Sequence, residues 1–122
     1  MKMVLRALLG ATASLVIAAT AQAHAALWSA DPAAGGVAHG SPAKLHLIFT
    51  EAIAGKFSGV ALTDPAGAAV AISPASLDPA DPKALTVPIK ADLKPGVYKV
   101  RWHAVASDDG HRSAGAYSFT VK

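Results

Sequence analysis

The sequence predicts an all-β fold: an Ig-like antiparallel sandwich of about seven strands behind a removable leader. Apolar and polar residues alternate with period two in several short runs, and Pro/Gly/Asp clusters fall between those runs. No later stretch of helical length carries an apolar stripe free of Pro or Gly. Short strands at this spacing are the pattern of a two-sheet sandwich.

The leader comes first. Lys2 and Arg6 make a short basic start, and residues 7–19 are apolar apart from Gly10, Thr12 and Ser14. Ala21-Gln22-Ala23 then offers the small residues of a cleavage site. This is the tripartite pattern of a secretory signal peptide. Its apolar part falls short of the ~20 residues that a spanning helix needs. Residues 1–23 therefore read as a cleaved signal and residues 24–122 as one exported domain without a membrane span.

Within that domain an opening strand is expected near residues 25–30. In the next, Leu45, Leu47 and Phe49 share one face while Lys44, His46 and Ile48 share the other. Val60 with Leu62 marks a third strand, residues 68–72 a short fourth, and Leu85, Val87 and Ile89 a fifth. Tyr98, Val100, Trp102 and Ala104 oppose Lys99, Arg101 and His103, and Tyr117, Phe119 and Val121 oppose Ser118 and Thr120. Turn signals separate them at Asp31-Pro32, Gly40-Ser41-Pro42, Asp64-Pro65-Ala66-Gly67, Asp78-Pro79-Ala80-Asp81-Pro82 and Lys94-Pro95-Gly96. Both tryptophans, Trp28 and Trp102, are read as core.

Charge and sulfur content narrow the function. The chain has eleven Lys+Arg against eight Asp+Glu, and removing Lys2 and Arg6 leaves 11 − 2 = 9 against 8. The remaining cations are scattered along the sequence, which argues against nucleic-acid binding. There is no cysteine, so disulfides, thiolate zinc sites, iron–sulfur clusters and a cysteine nucleophile are excluded. Both methionines, Met1 and Met3, lie in the leader.

Two places could carry chemistry. Cleavage after Ala23 makes His24 the first residue, where a free α-amine and the ring Nδ1 can chelate one metal ion. Both groups deprotonate readily when a metal competes for them. The second place is Ser107-Asp108-Asp109-Gly110-His111, where Asp109 and His111 stand two apart around a glycine. Taken singly, the first is a chance residue after a cut and the second a polar hairpin loop. Together they offer an amine, two imidazoles and a carboxylate, a donor set suited to tetragonal Cu(II) rather than tetrahedral zinc. The alternative N-terminal motif with histidine third is absent, because that position is Ala26.

The chain resembles the CopC family of periplasmic copper-binding, copper-resistance proteins. The resemblance is carried by His24-Ala25-Ala26-Leu27, Asp31-Pro32-Ala33-Ala34-Gly35, Leu47-Ile48-Phe49-Thr50-Glu51, the run from Leu93 to Trp102, Ser107–His111, and the run from Gly115 to Val121. It implies a Greek-key β-sandwich in the periplasm and one Cu(II) per chain, held by His24 (amine and ring), Asp109 and His111. Glu51 matches a family glutamate near the site, and orienting an imidazole N–H suits it better than ligation. A methionine-built Cu(I) site, present in other members, has no residues here to form it. His39 falls in a loop, and His46 and His103 fall on outward faces.

The expected function is a non-catalytic, monomeric copper carrier or buffer. It would serve resistance or delivery to a CopD-like membrane permease on a separate chain. A copper-dependent oxidative enzyme with an N-terminal histidine chelate is the first alternative, although Asp109 would occupy the position that oxygen activation needs open. A metal-independent Ig-like interaction module is the second.

Overall fold

Two four-stranded sheets lie face to face in the computed structural model, which describes residues 25–122. The expected signal peptide 1–23 and His24 lie outside the described residues. In chain order the strands are β1 (Leu27–Asp31), β2 (Val37–Ala38), β3 (Lys44–Phe49), β4 (Gly59–Thr63), β5 (Ser76–Asp78), β6 (Asp81–Pro88), β7 (Gly96–Val105) and β8 (Arg112–Val121). The first sheet has the order β1-β3-β6-β5 and the second β2-β8-β7-β4. The chain crosses between sheets at every connection except the β5–β6 and β7–β8 hairpins, so each sheet is stitched from distant segments. A single 3-10 turn, Gly55–Phe57, precedes β4.

Alternation builds the core as expected. Leu45, Leu47 and Phe49 from β3 face Val100, Trp102, Phe119 and Val121 from β7 and β8, all at most 9% exposed. Phe49 meets Trp102 edge-on at 5.3 Å between ring centroids, and Tyr98 stacks on Phe119 at 5.8 Å. Such a core is intolerant of voids: Leu47→Ala would cost about 2–5 kcal/mol. At the start of β7 the Tyr98 hydroxyl donates to the Lys94 carbonyl at 2.8 Å and pins the strand to its preceding turn.

The eight strands of the two sheets agree with the sandwich of about seven that the sequence predicts. Three finer expectations need correction. Residues 68–72 form only isolated bridges, Thr63 to Ala69 and Ile72 to Ile89, because the segment bonds first to the end of β4 (Leu62 and Asp64) and then to Lys90 beyond β6 instead of running along one strand. The strand in that part of the chain is β5, short and polar, paired antiparallel to β6. The sandwich is not wholly antiparallel either, since β2 pairs in parallel with the end of β8.

Trp28 is the third correction. Leu27 pairs with Phe49 and Ser29 with Ile48, which leaves Trp28 as the extra residue of a β-bulge. The bulge turns its side chain outward, and Trp28 is 76% exposed. Trp102, the other tryptophan, is core as predicted.

Candidate metal centre

The β7–β8 hairpin pairs without interruption from Gly96–Val121 to Val105–Arg112, and the residues beyond that last pair form its loop. The Ala106 N–H donates to the His111 carbonyl at 2.9 Å, and the Gly110 N–H to the Ala106 carbonyl at 3.0 Å. Gly110 takes φ +71°, a left-handed conformation that lets the chain reverse within so few residues.

The loop is also clamped from the side. The Ser107 N–H and hydroxyl both donate to the Ala52 carbonyl, at 3.0 and 3.2 Å. The Ala54 N–H donates to Val105. Buried Ser58 donates its hydroxyl to Ala54 and accepts the Val105 N–H, tying the 3-10 turn to the end of β7. Ser107, to which the sequence assigned no role, is thus part of the clamp.

On this base Asp109 and His111 converge. One carboxylate oxygen of Asp109 accepts the His111 backbone N–H at 3.0 Å. The other lies 2.6 Å from the His111 Nδ1. The backbone N–H first, and the ring second, hold the Asp109 carboxyl below its ordinary value. The pair is open to solvent, with the imidazole 55% and the carboxylate 35% exposed. An ion placed between the two groups would replace their direct contact with two metal–ligand bonds.

The described chain begins beside this loop. Ser113, two residues after His111, donates its hydroxyl to the carbonyl of Ala25. Ala25 itself is fully buried. The Ala26 N–H donates to the Thr50 hydroxyl at 3.0 Å, and the Thr50 N–H returns a bond to the Ala26 carbonyl at 2.8 Å. Neither Ser113 nor Thr50 was singled out from the sequence, because their role depends on pairing across the sandwich.

Glu51, next to Thr50, lines a polar cleft of about 300 Å³ together with Lys83, Ser107 and Asp108. It therefore sits against the clamped side of the loop. Among the described residues no three His, Asp or Glu side chains gather as a metal set. Asp109 and His111 form a pair, and His24 lies beyond the described chain. The remaining histidines are apart: His39 is exposed after β2, His46 is half-buried against the Thr86 hydroxyl at 3.2 Å on the first sheet, and His103 is exposed on the second.

The fold and this loop define a small two-sheet β-sandwich that carries an exposed imidazole–carboxylate pair. The chain belongs to the CopC family, whose domain matches residues 27–122. It is 41% identical over 100 residues to protein YobA of Escherichia coli (strain K12), covering 82% of this chain and 80% of that protein. It is 37% identical over 115 residues to copper resistance protein C of Pseudomonas syringae pv. tomato, covering 90% of each. The crystal structure of PcoC, a methionine-rich copper resistance protein from Escherichia coli, superimposes with a TM-score of 0.72 at 37% identity, covering 82% of this chain and all of that one. Family membership makes this a CopC-like copper resistance protein. No helix of the described residues is long and apolar enough to cross a membrane.

Proposed function

We propose that this protein is a non-catalytic periplasmic copper carrier that binds one Cu(II) per chain. The ligands are the α-amine and ring of His24, exposed by cleavage after Ala23, together with Asp109 and His111. Glu51 supports the site from the adjoining cleft. The observation that carries this reading is the Asp109–His111 pair at 2.6 Å, beside a chain start that Ser113 and Thr50 hold in place. A borderline donor set of nitrogen and oxygen suits Cu(II), and domain residues 24–122 contain no thioether or thiolate for Cu(I). PcoC is described as methionine-rich, and this chain departs from it there. The carrier buffers copper or passes it to a CopD-like permease.

The free amine is the vulnerable part of this proposal. Titration with Cu(II), followed by isothermal calorimetry and paramagnetic resonance, should show one site on the protein that begins at His24. One extra residue ahead of His24 should weaken that site sharply and change the nitrogen hyperfine pattern. Equal affinity for the two forms would overturn the proposed ligand set.

A further inference from the structure

The near-balance of charge conceals a segregation. On the outer face of the second sheet, the in-register rows run Val37–Thr120–Val97, Ser118–Lys99–Thr63, Ala116–Arg101–Ala61, Ala114–His103–Gly59 and Arg112–Val105. Every charged residue in these rows is cationic. Among the described residues of β2, β4, β7 and β8 there is no Asp or Glu. The first sheet carries Asp31, Asp78 and Asp81 against Lys44 and Lys83.

The relief of this face is equally particular. Lys99, Arg101 and His103 form one column along β7, about 7 Å from row to row at the usual strand rise. Their neighbours on β4 and β8 are Ala, Gly, Ser or Thr, so the long side chains of Lys99 and Arg101 stand above a floor of small residues. Gly59 is part of that floor: a Cβ there would lie 2.9 Å from His103 Cε1. Large apolar side chains flank the column at both ends, with Phe57 63% exposed at one and Val97 and Val37 54% and 48% exposed at the other. Phe57, His103, Arg112 and Ala114 line a shallow cavity of about 500 Å³. Of the acids near these strands in sequence, Asp64 is engaged with the Ala66 and Ala68 N–H groups and Asp109 with His111, while Asp108 lines the separate cleft with Glu51 and Lys83.

From this placement we infer that the outer face of β4–β7–β8 docks on an anionic lipid surface. Cations in one plane, with apolar side chains at the margins, match the layering of a membrane interface, where charge meets headgroups and Phe or Val reaches the acyl boundary. The exposed Phe57 at one margin and Val97 and Val37 at the other favour a lipid interface over an acidic protein, which would meet the cations alone. The Phe57–His103–Arg112 cavity would receive a headgroup phosphate. The inference does not depend on the copper reading, because none of these side chains is among the proposed ligands.

Vesicle co-sedimentation of residues 24–122 tests it. These residues contain both sheets and the whole described core, and omitting 1–23 avoids lipid insertion by the leader itself. The protein should sediment with phosphatidylglycerol-containing vesicles and not with phosphatidylcholine alone. Raising salt from about 0.1 to 1 M, which shortens the Debye length from about 10 to 3 Å, should release it. Arg101→Gln should lower partitioning about fivefold and Lys99→Gln/Arg101→Gln about twenty-five-fold, given the usual contribution of a basic residue near such a surface. The double variant should keep its thermal midpoint and its Cu(II) titration, which separates this proposal from the previous one. Equal binding to neutral vesicles, no binding to anionic ones, or undiminished binding by the double variant would each overturn it. Retention on immobilised polyglutamate without vesicle binding would also overturn it and assign the face to an acidic protein.

Discussion

Asp64, Asp78 and Asp109 each open a turn, and Asp81 opens strand β6, with a carboxylate oxygen accepting the backbone N–H two residues ahead. At Asp64, Asp78 and Asp81 the residue two ahead is Ala66, Ala80 or Lys83, and the aspartate serves only to fix the local backbone. At Asp109 that residue is His111, whose ring meets the second carboxylate oxygen at 2.6 Å. The aspartate turn is a folding device available to any loop. The side chain at its third position decides whether it also presents a pair of metal donors.

The most direct way to break this comparison is to remove the ring. His111→Ala should lose Cu(II) affinity by more than ~100-fold, beyond the 10–100-fold typical when a group that merely orients a ligand is lost. The melting midpoint should barely move, since the Asp109 oxygen and the backbone N–H of residue 111 remain. Calorimetric titration and thermal melting read the two effects separately. Retained affinity would make this loop one more ordinary turn.

Asp64→Ala is the mirror experiment. Asp64 accepts two backbone N–H groups, from Ala66 and Ala68, both at 2.9 Å. Losing them should cost about 1–2 kcal/mol in urea unfolding. Copper titration should be unchanged. A fall in affinity would mean that the turns are coupled through the sandwich.

A quieter version of the comparison lies on the inner face of the same hairpin. Tyr98 has the Lys94 carbonyl for its hydroxyl, whereas the Tyr117 hydroxyl has no partner among the described residues. Burial, aided by the negative charge of Asp31, pushes the Tyr117 phenol up to about 12. Because this folded-state value lies above the ordinary one near 10, the stability it contributes is intact below about pH 10 and is lost as pH rises towards 12. Tyr117→Phe should change stability by less than ~1 kcal/mol at neutral pH. It should also flatten that part of the alkaline limb in pH-dependent denaturation. An unaltered limb would place the alkaline transition elsewhere.

Much of this molecule is legible in its sequence, and the exceptions share a cause. Leu45-x-Leu47-x-Phe49 and Tyr98-x-Val100-x-Trp102 declare their buried faces because regular strands keep side-chain parity. Trp28 breaks parity through one extra residue, and nothing local announces a bulge. The two residues of β2 become strand only by lying beside Thr120 and Val121, far along the chain. Residues 68–72 have the pattern of a strand but lack a ladder to join, while Ser76–Asp78 has a weak pattern and β6 beside it. The same division holds at the site. Asp109 and His111 are visible as a spaced pair, but the Ser107 clamp and the Ser113 and Thr50 anchors come from tertiary pairing.

The bulge at Trp28 has a consequence for how this protein behaves in a crowd. An open sandwich exposes strand edges, and a straight unpaired edge is a template on which another copy can extend the sheet towards a fibril. In the first sheet the β1 edge is put out of step by its bulge, and the β5 edge is three residues long with a register shift between Leu77 and Asp78. In the second sheet the β2 edge is only two residues long. β2 pairs with β8 only at Thr120 and Val121, so much of β8, like most of β4, remains a regular margin. A chain with no cysteine to staple it thus interrupts its backbone hydrogen-bond spacing at both margins of the first sheet and leaves the second sheet as the side on which another copy could add.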